Sequence, residues 1–507
     1  MPSLLGIDNG LTVTKAALFD IDGTELAVAR RRVPQSIPRP RHVERDMDGL
    51  WRATAQAIAQ ALALSGRPAS DILGVAATAH GDGLYLLDGD RRPLGPGILS
   101  LDSRAGPIVE AFDTSGVSQA ALSLTGQVPH ASAPSALLAW IAANEPERFS
   151  RIAHVLACKD WLRFCLTGTL GTDRTEASTS FTDVATQGYS RDALDLYGLG
   201  TLFGALAPIA HSAEIVGAVT PQAAAATGLQ AGTPVAAGLH DVTASALGIG
   251  GHREGVAAIV AGTYSINETV SAKPRTDARW FCRNAVAPGR WNAMAISPAS
   301  TANYDWFLDT LCAGEQAAAL AAGRSIHDLL GREIDAALAR PSTLLFHPYL
   351  FGSPHGPAAS ASFLGLHGWH DRGDMLRAVL EGIAFNHRVH VDALADGFAF
   401  DEIRLTGGGS RNPAFAQMFA DVLGRPVGVA AVDEAAAWGA ARCAAVGVGA
   451  QGSLDDGDER PVATYRPDAA RSQAYDRRFA LHSRIAQVLT AHWPEIEALA
   501  GEEILSR

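Results

Sequence analysis

The first thirty residues alternate short apolar runs with polar turns. Leu4–Ile7 and Lys15–Phe19 have the pattern of β-strands, and Glu25–Arg30 has the pattern of a third. Asp22 and Gly23 lie between the second and third runs, and this dipeptide is typical of a tight hairpin because both of its positions need a positive φ. We therefore predict that the chain begins with a three-stranded antiparallel meander.

The pattern then changes to helical spacing. Apolar residues recur at helical intervals over Met47–Leu64, and the apolar run Ile72–Ala77 follows as a buried strand. A similar opening returns after residue 250, where the strand-like runs Val256–Val260 and Ser265–Val270 flank a small-residue turn at 261–263. This repeat suggests a duplicated domain with one turn in each copy.

The glycine-rich segment Gly248–Gly251 lies between the two copies. Glycine tolerates large changes in φ and ψ, so the segment is a candidate hinge. A surface loop between neighbouring elements is the other interpretation, and the sequence leaves both open. Near the C terminus, residues 470–499 have the spacing of one or two amphipathic helices.

Composition narrows the class of protein. The 507 residues suffice for two or three domains, and 47% hydrophobic with 19% charged residues excludes wholesale disorder. A net charge of −12 disfavours nucleic acids and anionic membranes as partners, although one small anion can still be held by backbone N–H groups and a metal ion. We expect a cytoplasmic protein, because no basic leader opens the sequence and no apolar run is long enough for a membrane span. Five widely spaced cysteines without a Cys-x-x-Cys pair indicate reduced thiols.

Asp8 follows the first strand and opens a polar turn that contains Thr12, Thr14 and Lys15. Backbone N–H groups and hydroxyls in such a turn can bind phosphate oxygens, while the carboxylate can reach Mg²⁺ through water. An aspartate at a hairpin is also a common turn former, so the sequence leaves both roles open.

A second glycine-rich turn joins the predicted strand Ile403–Leu405 to a helix. The turn runs from Gly407 to Asn412, and the helix Pro413–Leu423 is well specified, with Asn412 as N-cap and proline at its first position. The glycines would allow a planar base or a ribose to approach closely, and the free N–H groups favour phosphate. A connector without a ligand is the alternative.

Asp241 lies where a buried strand of small residues ends and a helix of small residues begins. A carboxylate at this position is usually a helix N-cap. It can also act as a general base, because a strand-end carboxylate that projects into a cleft can accept the proton of an attacking hydroxyl. Its position alone does not decide between these roles.

Taken together, five segments resemble the FGGY carbohydrate kinases, which belong to the actin-like ATPase superfamily. The most specific match is the signature from Ala361 through Phe363, Gly365 and Leu366 to the stretch Asp374–Glu381. The other four segments follow the order and spacing of the family: Gly6-Ile7-Asp8-x-Gly10, Ala79-His80-Gly81, Gly238-Leu239-His240-Asp241 and Leu405-Thr406-Gly407-Gly408-Gly409.

The resemblance implies an α/β fold of two duplicated actin-like ATPase (ribonuclease H-like) domains with a cleft between them. It places an N-terminal domain at 1–248, a C-terminal domain at 252–450 and a helical tail at 451–507. It also implies ATP and Mg²⁺ as cofactors and a small-molecule sugar as substrate, with no nucleic-acid or membrane partner, and it is compatible with a homodimer.

The resemblance also assigns roles to residues. Asp241 is similar to the catalytic base of the family, and Asp8 to the carboxylate that handles Mg²⁺. The residues similar to the sugar-binding set are His80, Gly81, Asp102, Arg104 and Asp241. Those similar to the ATP-binding set are Thr12, Thr14, Lys15, Gly262, Thr263, Gly407, Gly408 and Asn412.

The substrate expected from the resemblance is a ketopentose of the xylulose type, phosphorylated on a primary hydroxyl. The chain looks closest to the branch that phosphorylates L-xylulose and related keto-sugars. It departs from the common family pattern at Leu11, Ser100 and Tyr264 and over 352–355, which leaves the sugar open. The alternatives are a kinase for a polyol such as erythritol or glycerol, and a catalytically silent sugar-binding regulator.

Overall fold

The computed structural model describes residues 1–454 and 462–499. These residues form two compact units, each assembled from separate stretches of the chain. The first unit contains residues 1–254, 269–294 and 431–460, and the second contains 255–268, 295–430 and 461–507, apart from the residues outside the description. Within the described ranges, no helix is both long and apolar enough to span a membrane.

The elements before residue 254 all belong to the first unit. Its strands there are β1 Ser3–Asn9, β2 Val13–Asp20, β3 Glu25–Arg32, β4 Glu44–Arg45, β5 Ile72–Ala79, β6 Tyr85–Leu87, β7 Gly97–Ile98, β8 His154–Leu156, β9 Thr172–Asp173, β10 Ile209–Ala210, β11 Ile215–Ala218, β12 Pro234–Ala236 and β13 Leu239–His240. The helices are α1 Met47–Ser65, α2 Gly106–Ser115, α3 Val117–Thr125, α4 Pro134–Asn144, α5 Pro146–Phe149, α6 Cys158–Thr167, α7 Arg174–Ala177, α8 Arg191–Leu196, α9 Pro221–Thr227 and α10 Asp241–Gly248.

The remaining elements follow residue 254. Their strands are β14 Gly255–Ala261, β15 Ser265–Ser271, β16 Phe281–Asn284, β17 Trp291–Ser297, β18 Leu345–His347, β19 Ser362–Leu364, β20 Phe400–Thr406, β21 Val427–Ala430 and β22 Val462–Tyr465. The helices are α11 Ala302–Leu311, α12 Ala313–Ala321, α13 Ile326–Leu338, α14 Arg372–Gly397, α15 Pro413–Leu423, α16 Ala435–Gly447, α17 Ala469–Leu489 and α18 Trp493–Ala498.

The main sheet of the first unit confirms the predicted meander. Its strand order is β11-β12-β5-β1-β2-β3, with β13 also paired to β5. β1 runs antiparallel to β2, and β2 antiparallel to β3, while β1, β12 and β13 are each parallel to β5. The turn before β3 closes because Gly23, at a φ of 85°, donates its N–H to the carbonyl of Asp20 at 3.1 Å. Asp22 does not have a positive φ, so the expectation of a positive φ at both positions is confirmed only for Gly23.

Helices cover both faces of this sheet. α1 begins at its N-cap Asp46, ends at a left-handed Gly66 and buries an apolar stripe that includes Leu50 and Ile58. The opposite face is covered by α16, which also packs on α10. A Cβ at Gly6 would collide with the carbonyl of Ala437, so glycine is needed for this close approach of helix to strand. Burial of both faces is typical of a sheet with parallel central strands.

The segment Gly248–Gly251 is buried, so the surface-loop interpretation is wrong. Gly248 is the last residue of α10, and a Cβ there would collide with the carbonyl of Ala435 on α16. The hinge interpretation stays a prediction.

The second unit repeats the topology of the first. In the order β15-β14-β20-β21-β22, the central strands β14, β20 and β21 are parallel, and β22 pairs antiparallel with β21. The order β2-β1-β5-β12-β11 has the same arrangement, with β11 antiparallel to β12. This repeat confirms the predicted fold class of two duplicated α/β units. Asn412 caps α15 as predicted, accepting hydrogen bonds from the N–H groups of Ala414 and Phe415.

Candidate active site

The predicted residues of the first unit gather at one edge of its main sheet. In the parallel register, Asp8 of β1 lies opposite Thr78 of β5, and His240 of β13 lies opposite Ala79. The carboxyl ends of three parallel strands therefore meet there and bring Asp8, His80 and Asp241 to the same edge. Ligands of open α/β sheets bind in the crevice outside the carboxyl ends of the strands.

Asp8 and Lys15 face each other across the β1–β2 pair. The ammonium of Lys15 lies 3.4 Å from the Oδ2 of Asp8 and 2.9 Å from the Oε2 of Glu434, which also binds Arg30. Burial raises the pKa of Asp8, and Lys15 only partly offsets this rise. Burial opposes the charge of Lys15, but the carboxylates of Asp8 and Glu434 outweigh it and raise the pKa of the lysine.

The loop between β1 and β2 is fixed by a residue outside the predicted set of site residues. Arg45 is buried and donates hydrogen bonds to the carbonyls of Gly10, at 3.4 Å, and Leu11. Thr12 is exposed in this loop. The hydroxyl of Thr14 lies 3.2 Å from that of Thr54 on α1, so the structure does not bring it to the face that carries Lys15.

His80 follows β5 and is buried in its neutral form. Burial, with the nearby charge of Arg45, lowers the pKa of His80 to about 3. Its Nε2 lies 3.3 Å from the hydroxyl of Tyr85, whereas its Nδ1 has no hydrogen-bond partner among the residues that the structure describes. Gly81 packs directly on the ring of His240, because a Cβ there would collide with Nε2.

Asp241 is the first residue of α10, and the N-cap is His240. The capping explanation of Asp241 is therefore wrong. Its Oδ1 accepts a hydrogen bond of 2.7 Å from the N–H of Val242 and lies 3.3 Å from the Nδ1 of His240. The side chain of Asp241 is 31% exposed, which leaves the carboxylate accessible from solution.

Arg283 on β16 is a second residue that sequence reasoning missed. Its buried guanidinium lies 3.3 Å from the Nε2 of His240 and donates to Asp82 and Gln127, each at 3.0 Å. Burial and then the charge of Arg283 lower the pKa of His240 to about 4, so the ring is neutral. No motif surrounds Arg283, so only three-dimensional proximity reveals it.

This contact assigns the tautomer of His240. A guanidinium can only donate, so the Nε2 facing Arg283 is the acceptor and the single ring proton resides on Nδ1. That N–H faces the Oδ1 of Asp241. The Nδ1 lies beside the carboxylate but forms no hydrogen bond with any residue that the structure describes.

Asp102 and Arg104 form a buried ion pair. The two nitrogens Nε and Nη2 of Arg104 contact the carboxylate of Asp102 at 2.7–3.0 Å, and Nη2 also contacts Glu44 at 2.7 Å. Asp102 in addition accepts from the N–H of Val43. The two side chains are fully buried and bind each other, so their contacts stabilise the local fold. Their role in sugar binding stays a prediction.

The predicted residues of the second unit also lie at adjacent strand ends. Val260 of β14 pairs with Thr406 of β20, so Gly262 and Gly407 follow neighbouring parallel strands. Thr301 donates its N–H, at 3.0 Å, and its hydroxyl, at 2.6 Å, to the carbonyl of Gly262. These contacts fix the turn that carries Gly262.

Gly407 has a φ of 104°, and a Cβ there would collide with the carbonyl of Ala261. Gly408 is exposed, and a Cβ added there would meet no other atom within 4 Å. Thr263 is exposed as well. The turn therefore presents accessible backbone ahead of the capped helix α15, which is the arrangement expected at a phosphate or ribose site.

The resemblance implies a magnesium ion that arrives with ATP, and Asp8 offers a carboxylate for it. Such an ion usually takes one or two carboxylates and completes its octahedral shell with phosphate oxygens and water. Burial raises the pKa of Asp8, and a nearby cation would stabilise the ionised form of its carboxylate. Within residues 1–454 and 462–499, no group of three or more His, Cys, Asp or Glu side chains could enclose a metal ion by itself.

Two family models match the chain. The N-terminal domain model of the FGGY family of carbohydrate kinases matches residues 3–248, and the C-terminal domain model matches residues 257–448.

Individual relatives match over nearly the whole chain. The "L-xylulose/3-keto-L-gulonate kinase" of Escherichia coli (strain K12) is 32% identical over 96% of this chain and 97% of its own length. The "Erythritol kinase" of Brucella abortus (strain 2308) is 30% identical over 97% of both chains. The crystal structure of a xylulose kinase from Rhodospirillum rubrum is 31% identical, with a TM-score of 0.83 over 97% of this chain and 99% of that one.

Proposed function

Because the chain belongs to the FGGY family of carbohydrate kinases, we propose that it transfers the γ-phosphate of ATP to a primary hydroxyl of a xylulose-type ketopentose, giving xylulose 5-phosphate. Kinases of this family take their phosphate from ATP. The observation that carries the proposal is the position of the Asp241 carboxylate. It lies at the edge of the main sheet where Asp8 and His80 also lie.

Asp241 acts in this proposal as the general base. Its Oδ1 accepts a hydrogen bond from the N–H of Val242, which orients the carboxylate, and it lies 3.3 Å from the Nδ1 of His240. An oriented carboxylate can accept the proton of the sugar hydroxyl as that oxygen attacks phosphorus in line. A general base of this kind typically contributes about 10²- to 10⁴-fold to the rate.

His80 and Gly81 bind the sugar in this proposal. The unpartnered Nδ1 of buried His80 can exchange a hydrogen bond with a sugar hydroxyl, and a neutral ring suits an uncharged ligand. Gly81 keeps His240 in place. Asp102 and Arg104 complete the proposed sugar-binding set, and Arg104 also binds Glu44 of β4.

We propose ATP-binding residues in each of the two units. Lys15 holds a full positive charge for a phosphate oxygen, Asp8 holds the metal ion, and the exposed Thr12 belongs to the first phosphate loop, whereas buried Thr14 does not. Mg²⁺-ATP, when bound, supplies the γ-phosphoryl group and neutralises the charge of its oxygens. In the second unit, Gly262 and Thr263 form the second phosphate loop, while Gly407, Gly408 and Asn412 bind the adenosine part.

A polyol kinase is the second candidate. The similarity to an erythritol kinase, at 30% identity over 97% of the chain, is close to the similarity to the ketose kinase. Both acceptors present a primary hydroxyl, so Asp241 would play the same part with either.

A coupled ADP-release assay with D-xylulose, L-xylulose, ribulose, erythritol and glycerol tests the proposal. We expect the highest kcat/KM with one enantiomer of xylulose, and phosphorus NMR should place the product phosphate on C5. A higher kcat/KM for erythritol or glycerol would favour the polyol kinase. Measurable sugar binding without any turnover would instead identify a silent regulator.

A further inference from the structure

Glu176 is a buried acid without a hydrogen-bond partner for its side chain. It lies on α7 and is 4% exposed, and neither Oε1 nor Oε2 has a partner among the described residues. A buried polar group without a partner lowers stability unless something else satisfies it. Such a group therefore points to a missing partner.

A small cavity supplies the space for that partner. Its volume is about 40 Å³, and it is lined by polar groups of Glu176, Asp82 and Thr179 and by the apolar side chains of Leu84 and Phe181. One water needs roughly 10–15 Å³ of such volume, so the cavity has room for about three waters or for one hydroxymethyl group. Its mixed lining suits a group that is half apolar and half polar.

The cavity adjoins the proposed active site. Asp82 immediately follows Gly81 and binds Arg283, which contacts His240. On the other side, Thr175, the neighbour of Glu176, accepts a hydrogen bond of 2.9 Å from the N–H of His240. Each contact of His240 is thus one residue away from a lining residue of the cavity, and Asp241 is the next residue after His240.

We propose that this cavity receives the hydroxymethyl end of the acceptor ketose, opposite the hydroxyl that is phosphorylated, and that Glu176 hydrogen-bonds to its hydroxyl. The inference rests on the proposed function, since it assigns the C1 end of a ketopentose whose C5 hydroxyl reacts at Asp241. Glu176 is then a residue that determines substrate specificity.

The protonation state of Glu176 suits this ligand. Burial raises the pKa of Glu176 well above its ordinary value, and nearby Lys159 only partly offsets the rise. The ammonium of Lys159 is already engaged with Asp160 and Asp173, at 2.6 and 3.0 Å. The raised pKa favours the protonated carboxyl, and in that form it can donate one hydrogen bond and accept another, as a sugar hydroxyl also can.

The test combines two variants of Glu176 with two substrates: the xylulose enantiomer that the wild type prefers, and its 1-deoxy analogue. We expect the wild type to use the analogue about tenfold less efficiently in kcat/KM. Glu176→Met, which removes the hydrogen bond, should lose a similar factor with xylulose and almost none with the analogue. Glu176→Gln keeps a neutral donor and acceptor and should retain most of the activity. Glu147→Gln, on the exposed surface of α5, is the control.

Equal losses with both substrates, or an equal loss in the glutamine variant, would overturn the inference. If Glu176→Met does not fold, the wild type alone still tests the inference. Equal kcat/KM for xylulose and its 1-deoxy analogue would mean that only water fills the cavity. Failure of the proposed function looks different, since the wild type would then turn over neither sugar.

Discussion

The guanidinium of Arg283 lies 3.3 Å from the Nε2 of His240, and both side chains are buried. This contact places the ring proton on Nδ1, 3.3 Å from the Oδ1 of Asp241. Arg283 is in turn held by Asp82 and Gln127. Arg283 thereby sets the tautomer of His240, whose Nδ1 has no hydrogen-bond partner among the described residues and is placed to donate to Asp241 when the substrates bind.

Two substitutions of His240 separate the roles of its two nitrogens. The amide of asparagine can replace the Nδ1 donor, whereas the longer glutamine places its amide near Nε2. Catalytic hydrogen bonds that are long without ligands tighten in the reacting complex. We expect His240→Gln to lower kcat roughly 10- to 100-fold, since a hydrogen bond to a charged group is worth about 1.5–3 kcal/mol. His240→Asn should retain more activity. The measurement is steady-state kinetics for both substrates, and a greater loss in the asparagine variant would contradict the assigned tautomer.

Asp241→Asn should remove the proton acceptor while leaving the fold intact. The asparagine Oδ1 can still accept from the N–H of Val242, so the start of α10 is preserved. We expect kcat to fall at least about 100-fold, the lower range for the loss of a general base. ATP should bind with unchanged Kd in a calorimetric titration, and the Tm should stay close to that of the wild type. Sugar phosphorylation within tenfold of the wild-type rate would exclude Asp241 as the base.

Glu434 gives the stability of the first unit a defined pH dependence. Burial opposes its charge, but Lys15 and Arg30 outweigh burial and lower the pKa of Glu434 below its ordinary value of 4.5. A lowered pKa stabilises the fold above 4.5, and this contribution is lost as the pH falls through the folded-state value. We expect Glu434→Gln to lower the free energy of unfolding by about 2 kcal/mol at pH 7.

Urea denaturation of the wild type and Glu434→Gln between pH 7 and pH 3.5 measures this effect. The difference in free energy between the two proteins should be constant down to about pH 5 and shrink at lower pH. Glu110→Gln removes an exposed carboxylate of α2 and is the matched control, with no difference expected. A difference that persists unchanged at pH 3.5 would show that packing, and not charge, is responsible.

Features set by neighbouring residues were predicted from the sequence. The hairpin before β3 depends on Asp22 and Gly23, and the start of α15 depends on Asn412 and the proline after it; both are confirmed. These predictions succeed because turn and cap geometry is determined within a few residues. The interpretation of Asp241 as an N-cap was wrong by one position, since His240 is the N-cap of α10.

Features that depend on distant parts of the chain were not predicted. Glu434 pairs with Lys15 across 419 positions, and Arg283 reaches His240 from a strand without any motif. Glu176 likewise has no pattern that marks its burial without a hydrogen-bond partner. A single sequence carries no periodic signal for such pairs, because they are created by the packing of whole elements.

Gly407→Ala tests the nucleotide site of the second unit. Gly407 has a φ of 104° and a ψ of 170°, a region that is essentially confined to glycine, and the added Cβ would collide with the carbonyl of Ala261. The backbone must shift, at a cost of about 1–3 kcal/mol, and the turn that presents Gly408 shifts with it. We expect the Kd for ATP to rise roughly tenfold or more, measured by calorimetric titration without sugar. Gly368→Ala, at an exposed site with open space and no positive φ, should bind ATP like the wild type. Wild-type affinity in a folded Gly407→Ala variant would remove this turn from the nucleotide site.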